Sequence, residues 1–119
     1  MNDTIGLIYD DEAAVHFAHK ATGLDEATVA AILKARDRYQ VGLGVYAAEV
    51  LEGVESPEQI RAAHPDLFFP LYMKRRYVDP VLEREYIVRE LGIDEPSVRA
   101  VISADVEYMR KRGIIGRIE

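Results

Sequence analysis

Two stretches decide how this chain is read: Gly23-Leu24-Asp25-Glu26-Ala27-Thr28-Val29 and, 69 positions later, Gly92-Ile93-Asp94-Glu95-Pro96-Ser97-Val98. The same offset extends the match over 12–44 against 81–113, with identities at Gly23/Gly92, Asp25/Asp94, Glu26/Glu95, Val29/Val98, Ala31/Ala100, Ala35/Ala104, Tyr39/Tyr108 and Gly44/Gly113. Phe17/Tyr86, Leu24/Ile93, Ile32/Val101 and Leu33/Ile102 are conservative pairs. Self-similarity of this kind points to one supersecondary unit used twice.

Each unit reads as a helical hairpin. Gly23 and Gly92 follow periodic segments and can take the left-handed conformation that closes a helix. Asp25 and Asp94 then serve as N-caps, and Glu26 and Glu95 place negative charge in the first turn, where the unpaired N–H groups favour it. Pro96 suits the first turn, since it forfeits no intrahelical hydrogen bond there. From these starts Val29, Ile32, Leu33 and Tyr39 recur at helical spacing, as do Val98, Val101, Ile102 and Tyr108, so one face of each second helix is expected to be buried. The preceding helices are expected from about Asp11 to Thr22 and from about Pro80 to Leu91, the latter capped by Asp79 with Pro80 at its first position. Gly44 and Gly113 close the second helices.

Between the units, in 45–78, Ser56-Pro57-Glu58-Gln59 carries the capping-box pattern of a short helix, which His64-Pro65-Asp66 ends. The expected fold is all-α: about six helices, with two related hairpins (about 11–44 and 80–113) packed around one core and a connecting segment, in one domain spanning 1–119. Ile5-Gly6-Leu7-Ile8-Tyr9 and Ile114-Ile115-Gly116-Arg117-Ile118 are the only strand-like pieces, placed to pair with each other or with a second copy.

The 119 residues, 49% hydrophobic and 30% charged, suit one globular domain rather than a disordered chain. There is no Cys, which excludes disulfides, thiolate catalysis and Cys-based zinc sites and agrees with a reducing compartment. The charge-free run Val41–Ala48 is far short of the roughly 20 residues a spanning helix needs. The first residues carry no basic and apolar pattern of an export signal, so a cytoplasmic protein with no membrane contact is expected.

Net charge is −6, from 15 Lys and Arg against 21 Asp and Glu, and it is unevenly placed. Residues 1–60 carry 4 basic and 11 acidic side chains, and residues 61–119 carry 11 and 10, so the halves stand at −7 and +1. An acidic protein gains little from counterion release, so any nucleic-acid contact must come from a local basic patch. Lys74-Arg75-Arg76 and Arg110-Lys111-Arg112 are the two candidates, for nucleic acid or for a protein partner, although short basic runs at helix ends ordinarily complement the helix dipole.

Two charged residues break the apolar stripes at the same point. Arg36 lies seven residues after Val29, and Asp105 lies seven after Val98. Snorkelling to solvent at the stripe's edge is the ordinary outcome. The alternative is a structural ion pair between Arg36 and Asp105 that fixes the register of the two long helices about a pseudo-twofold axis.

Other patterns carry less chemistry. His16 and His19, with Glu12 one turn earlier, are geometrically able to share a metal, but no His-Glu-x-x-His motif is present and the structural reading is preferred. Gly42-Leu43-Gly44-Val45-Tyr46-Ala47 has the letters of a dinucleotide fingerprint, yet it follows a helix, so its glycines are read as a helix terminus or a close helix contact. Phe68, Phe69, Tyr72 and Tyr77 beside Lys74-Arg75-Arg76 have the composition of a single-strand stacking surface, with burial of the connecting segment as the preferred explanation. With no Cys, three serines and three histidines, a nucleophile with base and orienter would need an improbable convergence, and no cofactor is expected.

Helix, glycine-containing turn and second helix, with Ala18, Leu24, Val29 and Ile32 in one unit and Ile87, Leu91, Ile93, Val98 and Val101 in the other at the apolar positions, resemble the helix-turn-helix of DNA-binding regulators. The opening helices of histone-like nucleoid proteins are similar too, but no basic β-arm follows. The resemblance implies a second helix whose N-terminal end meets bases and phosphates. Here that end carries Asp25-Glu26 or Asp94-Glu95, which repel phosphate, and His19 and Val88 stand where the family usually has Ala. The sequence therefore favours a small non-enzymatic binding or assembly module, a homodimer or the partner of another protein, with a helix-turn-helix regulator as the alternative.

Overall fold

The computed structural model describes residues 9–44, 56–68 and 78–113. They form five α-helices, α1 (Asp11–Thr22), α2 (Glu26–Leu43), α3 (Pro57–Ala63), α4 (Pro80–Leu91) and α5 (Glu95–Lys111), with one 3-10 turn at Pro65–Leu67. No strand occurs among the described residues, and the fold is all-α. The strand-like stretches at 5–9 and 114–118 lie outside them except for Tyr9.

Local chemistry sets each boundary. Asp25 accepts from the Thr28 amide and hydroxyl, and Asp94 accepts from the Ser97 amide and hydroxyl, so both second helices begin on the same cap. Asp10 caps α1 through the Ala13 amide, and Asp79 caps α4 through the amides of Val81 and Leu82. Ser56 and Gln59 form the reciprocal capping box at the start of α3. Gly23 and Gly92, at φ of 81° and 67°, turn the chain from first helix to second in each hairpin.

Packing crosses between the hairpins. The first helix of each lies mainly on the second helix of the other, α1 on α5 and α2 on α4. Helix α2 is central, because α3 and α1 also lie against it and α5 touches it. Its buried set, Val29, Ile32, Leu33, Ala35, Arg36, Tyr39, Val41, Gly42 and Leu43, extends well beyond one stripe. The core is completed by Ala18, Ile60, Leu67, Tyr86, Ile87, Val98, Val101 and Ala104. Burying an aliphatic side chain such as Ile32, Ile60 or Ile87 contributes roughly 1.5–3 kcal/mol.

Two aromatic contacts are related by the 69-residue offset. Tyr39 stacks on Tyr86 with ring centroids 5.3 Å apart, and Tyr108 meets Phe17 at 5.8 Å. Each joins a second helix to the opposite first helix. The connecting segment supplies Leu67, whose carbonyl accepts from the Tyr39 hydroxyl, and Phe68, whose ring lies 4.7 Å from Tyr39 and 5.9 Å from Tyr86. No helix among the described residues is long and apolar enough to cross a membrane.

Candidate functional site

The feature with the most concentrated chemistry is a polar seam buried between the hairpins. Asp105 on α5 is fully buried and Arg36 on α2 nearly so, at 0% and 9% exposure. Arg36 Nη1 donates to Asp105 Oδ2, while the Tyr9 hydroxyl donates to Asp105 Oδ1 at 2.6 Å. Arg36 Nη2 also reaches Asp37 Oδ1 at 3.4 Å. The stripe-edge exposure ordinary for such residues does not arise, because α2 and α5 meet at this point and enclose both side chains. A guanidinium so enclosed needs a carboxylate and filled hydrogen-bond positions, and Asp105 supplies the first.

Electrostatics follow the enclosure. Burial opposes the Arg36 charge, but Asp105 more than offsets it and holds the guanidinium above its usual range. Burial, and then the bond to Asp105, push the Tyr9 phenol well up. Asp37 is raised by burial, with Arg36 pulling the other way.

A second buried carboxyl lies nearby on α4. Glu83 is 5% exposed, and Gln40 of α2 donates to its Oε2 at 2.8 Å. Burial raises its pKa, against the bond from Gln40 and the field of Arg36. The Tyr39 phenol is raised by burial and by the charges of Glu83 and Asp79.

Residues singled out by sequence are placed as follows. His16 and His19 have ring centroids 6.2 Å apart, but each turns its Nδ1 to another partner: His16 Nδ1 lies 3.3 Å from Glu26 Oε2, and His19 Nδ1 lies 2.6 Å from the Leu24 carbonyl. A carbonyl only accepts, so His19 Nδ1 carries the proton and fastens the α1–α2 turn. Among the described residues no group of three or more His, Asp or Glu side chains is placed to hold a metal. Gly42 is a close helix contact, since a Cβ there would stand 2.8 Å from Ile60 Cγ2 and 2.8 Å from the Phe68 ring. Gly44 is the left-handed cap of α2.

At the end of α5, Arg110 donates to Glu107 at 2.9 Å, Lys111 Nζ stands 5.6 Å from the Phe17 ring centroid, and Arg112 donates to the Tyr108 hydroxyl at 2.8 Å. Lys74, Arg75 and Arg76 lie outside the described residues, as do Phe69, Tyr72 and Tyr77. In the helix-turn-helix comparison, the carboxylates at the N-termini of α2 and α5 are occupied as caps, and Glu95 binds Arg84 and Arg99.

Sequence reasoning passed over Tyr9, Gln40 and Glu83. Glu83 had a readable signal: it stands three and four residues before Tyr86 and Ile87, on their buried side of α4. Tyr9 was hidden inside a strand-like run, and Gln40 becomes visible only through its partner. No family model matches the chain, and no curated protein or solved structure matches it significantly.

Proposed function

We propose that this chain is a non-enzymatic helical assembly module, built from two related hairpins and acting as a homodimer. The observation that carries the reading is the use made of its chemistry-bearing side chains. All three histidines are engaged structurally, His16 with Glu26, His19 with the Leu24 carbonyl and His64 with Glu90. Ser56 and Ser97 serve helix starts, and the buried Asp105 is bound by Arg36 and Tyr9. Side chains committed to holding backbone and seam together support a scaffold, whose work lies at its outer faces.

Light scattering on the full chain, from dilute to concentrated solution, tests the reading. A concentration-dependent dimer is expected, and a monomer throughout overturns the homodimer. A gel shift on mixed DNA at low salt tests the regulator alternative. Binding with a steep salt slope would replace the assembly module by a DNA-binding protein, and no shift is expected.

A further inference from the structure

We infer that the outer face of α5 is the surface on which a second copy of this chain docks, antiparallel and centred on Ser103. The inference rests on the homodimeric reading and gives it a location. Equivalent faces of the two second helices are treated differently. The C-terminal part of the outer side of α2 is covered by α3, where Ile60 closes over Gly42 and Val41 is fully buried. On α5 the positions equivalent to Val41 and Gly42 are Arg110 and Lys111, and both are exposed, while Ser103, like its equivalent Lys34, is exposed about two turns earlier. Among the described residues, helix α5 packs on α1, α4 and α2 with its inner side, through Val98, Val101, Ala104, Asp105 and Tyr108.

The charges on the uncovered side fit an antiparallel copy. Arg99 and Glu107 stand four residues before and after Ser103, each about 6 Å along the helix axis from it. A twofold axis at Ser103 sets Arg99 of one copy level with Glu107 of the other, twice over. The same operation sets Glu95 level with Lys111. A parallel pair in register would instead oppose Arg99 with Arg99 and Glu107 with Glu107.

Small side chains at Ala100 and Ser103 leave the centre of this face open to close approach, and both are exposed. Each chain carries a net charge of −6, so most approaches of two copies are repulsive. On α5 Arg99, Arg110 and Lys111 stand with Glu95 and Glu107, and the local field is not anionic. Arg99 and Glu107 already make intrahelical pairs, with Glu95 at 2.8 Å and Arg110 at 2.9 Å, but these are exposed one-turn pairs that exchange readily for pairs across an interface.

The test is dimer dissociation measured by analytical ultracentrifugation on the full chain, with helical content checked by circular dichroism. R99E and E107R are each expected to weaken the dimer roughly tenfold, and the double variant R99E/E107R to restore it. Restoration discriminates, because the double variant still opposes like charges within the helix, at 95/99 and at 107/110. A purely intrahelical role predicts that it is the worst of the three. Because the chain has no Cys, S103C offers a single thiol, and oxidation should link two copies through it at the axis. A wild-type dimer that ignores both reversals and leaves S103C unlinked would overturn this surface and leave the assembly reading standing. A wild-type monomer would overturn both, and salt-sensitive DNA binding abolished by R99E would assign the face to nucleic acid.

Discussion

Arg36 and Asp105 occupy the same position in the two hairpins, 69 residues apart, and each is the other's hydrogen-bond partner. A residue meets its own counterpart only near the axis relating two similar units. Two identical hairpins would bring like charges together there, two guanidinium groups or two carboxylates, in a buried seam. Carrying both hairpins in one chain allows Arg on one side and Asp on the other. The pair thus specifies hairpin against hairpin, whatever its net contribution to stability.

Arg36→Leu is accordingly expected to cost about 3–5 kcal/mol, because it leaves Asp105 enclosed without its cation. Replacing both, as R36L/D105L, removes the uncompensated charge and should lie within about 2 kcal/mol of wild type, the residue being the Tyr9 hydroxyl that loses its acceptor. Urea unfolding of the two single variants and the double variant measures the coupling. A loss below about 1 kcal/mol for Arg36→Leu would mean that the guanidinium is solvated after all.

Glu83 makes the fold sensitive to pH in the opposite sense to the caps. A carboxyl whose folded pKa stands above its unfolded value takes up a proton on folding, so stability declines as pH rises through the folded value. Burial puts Glu83 in that class, and Asp37 with it. Asp25 and Asp94, held below their usual range by bonds from Thr28 and Ser97, behave conversely and weaken the fold only as pH falls below about 4. The wild type should therefore gain stability on mild acidification from neutral pH and lose it in stronger acid. Glu83→Gln keeps the acceptor for Gln40 without the charge. It should raise the urea midpoint at neutral pH and flatten the mild-acid gain, and an unchanged pH profile would remove Glu83 from this role.

What could be read from the sequence was what depends on neighbours along the chain. Asp25, Asp94, Asp79 and Ser56 act within one turn, so the helix starts followed from residue type and spacing. The repeat likewise marked Arg36 and Asp105 as misfits at one place. Whether such misfits turn outward or toward each other depends on which helices cross, and no local pattern carries that. The crossing of α1 with α5 and of α2 with α4 decides it, and the same crossing brings Gln40 to Glu83 and Tyr9 to Asp105. Seven residues of α3 also contribute more than a linker would, because Ile60 is 1% exposed and seals the C-terminal half of α2.

Tyr39 and Tyr108 are equivalent in sequence but unequal in bonding. The Tyr39 hydroxyl is buried and donates to the Leu67 carbonyl at 2.7 Å, whereas the Tyr108 hydroxyl reaches the Asp10 carbonyl only at 3.5 Å, where a hydrogen bond is weak, and accepts at 2.8 Å from Arg112, a part-buried donor at the end of α5. Tyr39→Phe should cost about 1–2 kcal/mol by orphaning a buried carbonyl, and Tyr108→Phe less, with chemical denaturation of both variants deciding. Equal losses would show that the two hydroxyls contribute alike despite their unequal bonding.

Gly42 and Gly23 give a last contrast, since each excludes a side chain for a different reason. At Gly23 the backbone sits at φ 81° with nothing within 4 Å of a Cβ, so the constraint is conformational. Gly23→Ala should cost about 1 kcal/mol and Gly23→Asn less, because Asn tolerates the left-handed region. Gly42 lies within α2, where alanine would gain about 1 kcal/mol of helix propensity in open space. Its Cβ would instead press on the branched Ile60 and the Phe68 ring at 2.8 Å, an overpacking expected to cost roughly 1–3 kcal/mol. The crowding exceeds the propensity gain, so Gly42→Ala should be net destabilising, and Gly42→Asn more so, reversing the order found at Gly23. Thermal melts of the four variants, with amide exchange over 57–63, would show the loss as a loosened α3, and a stabilised Gly42→Ala would mean that Ile60 and Phe68 yield without cost.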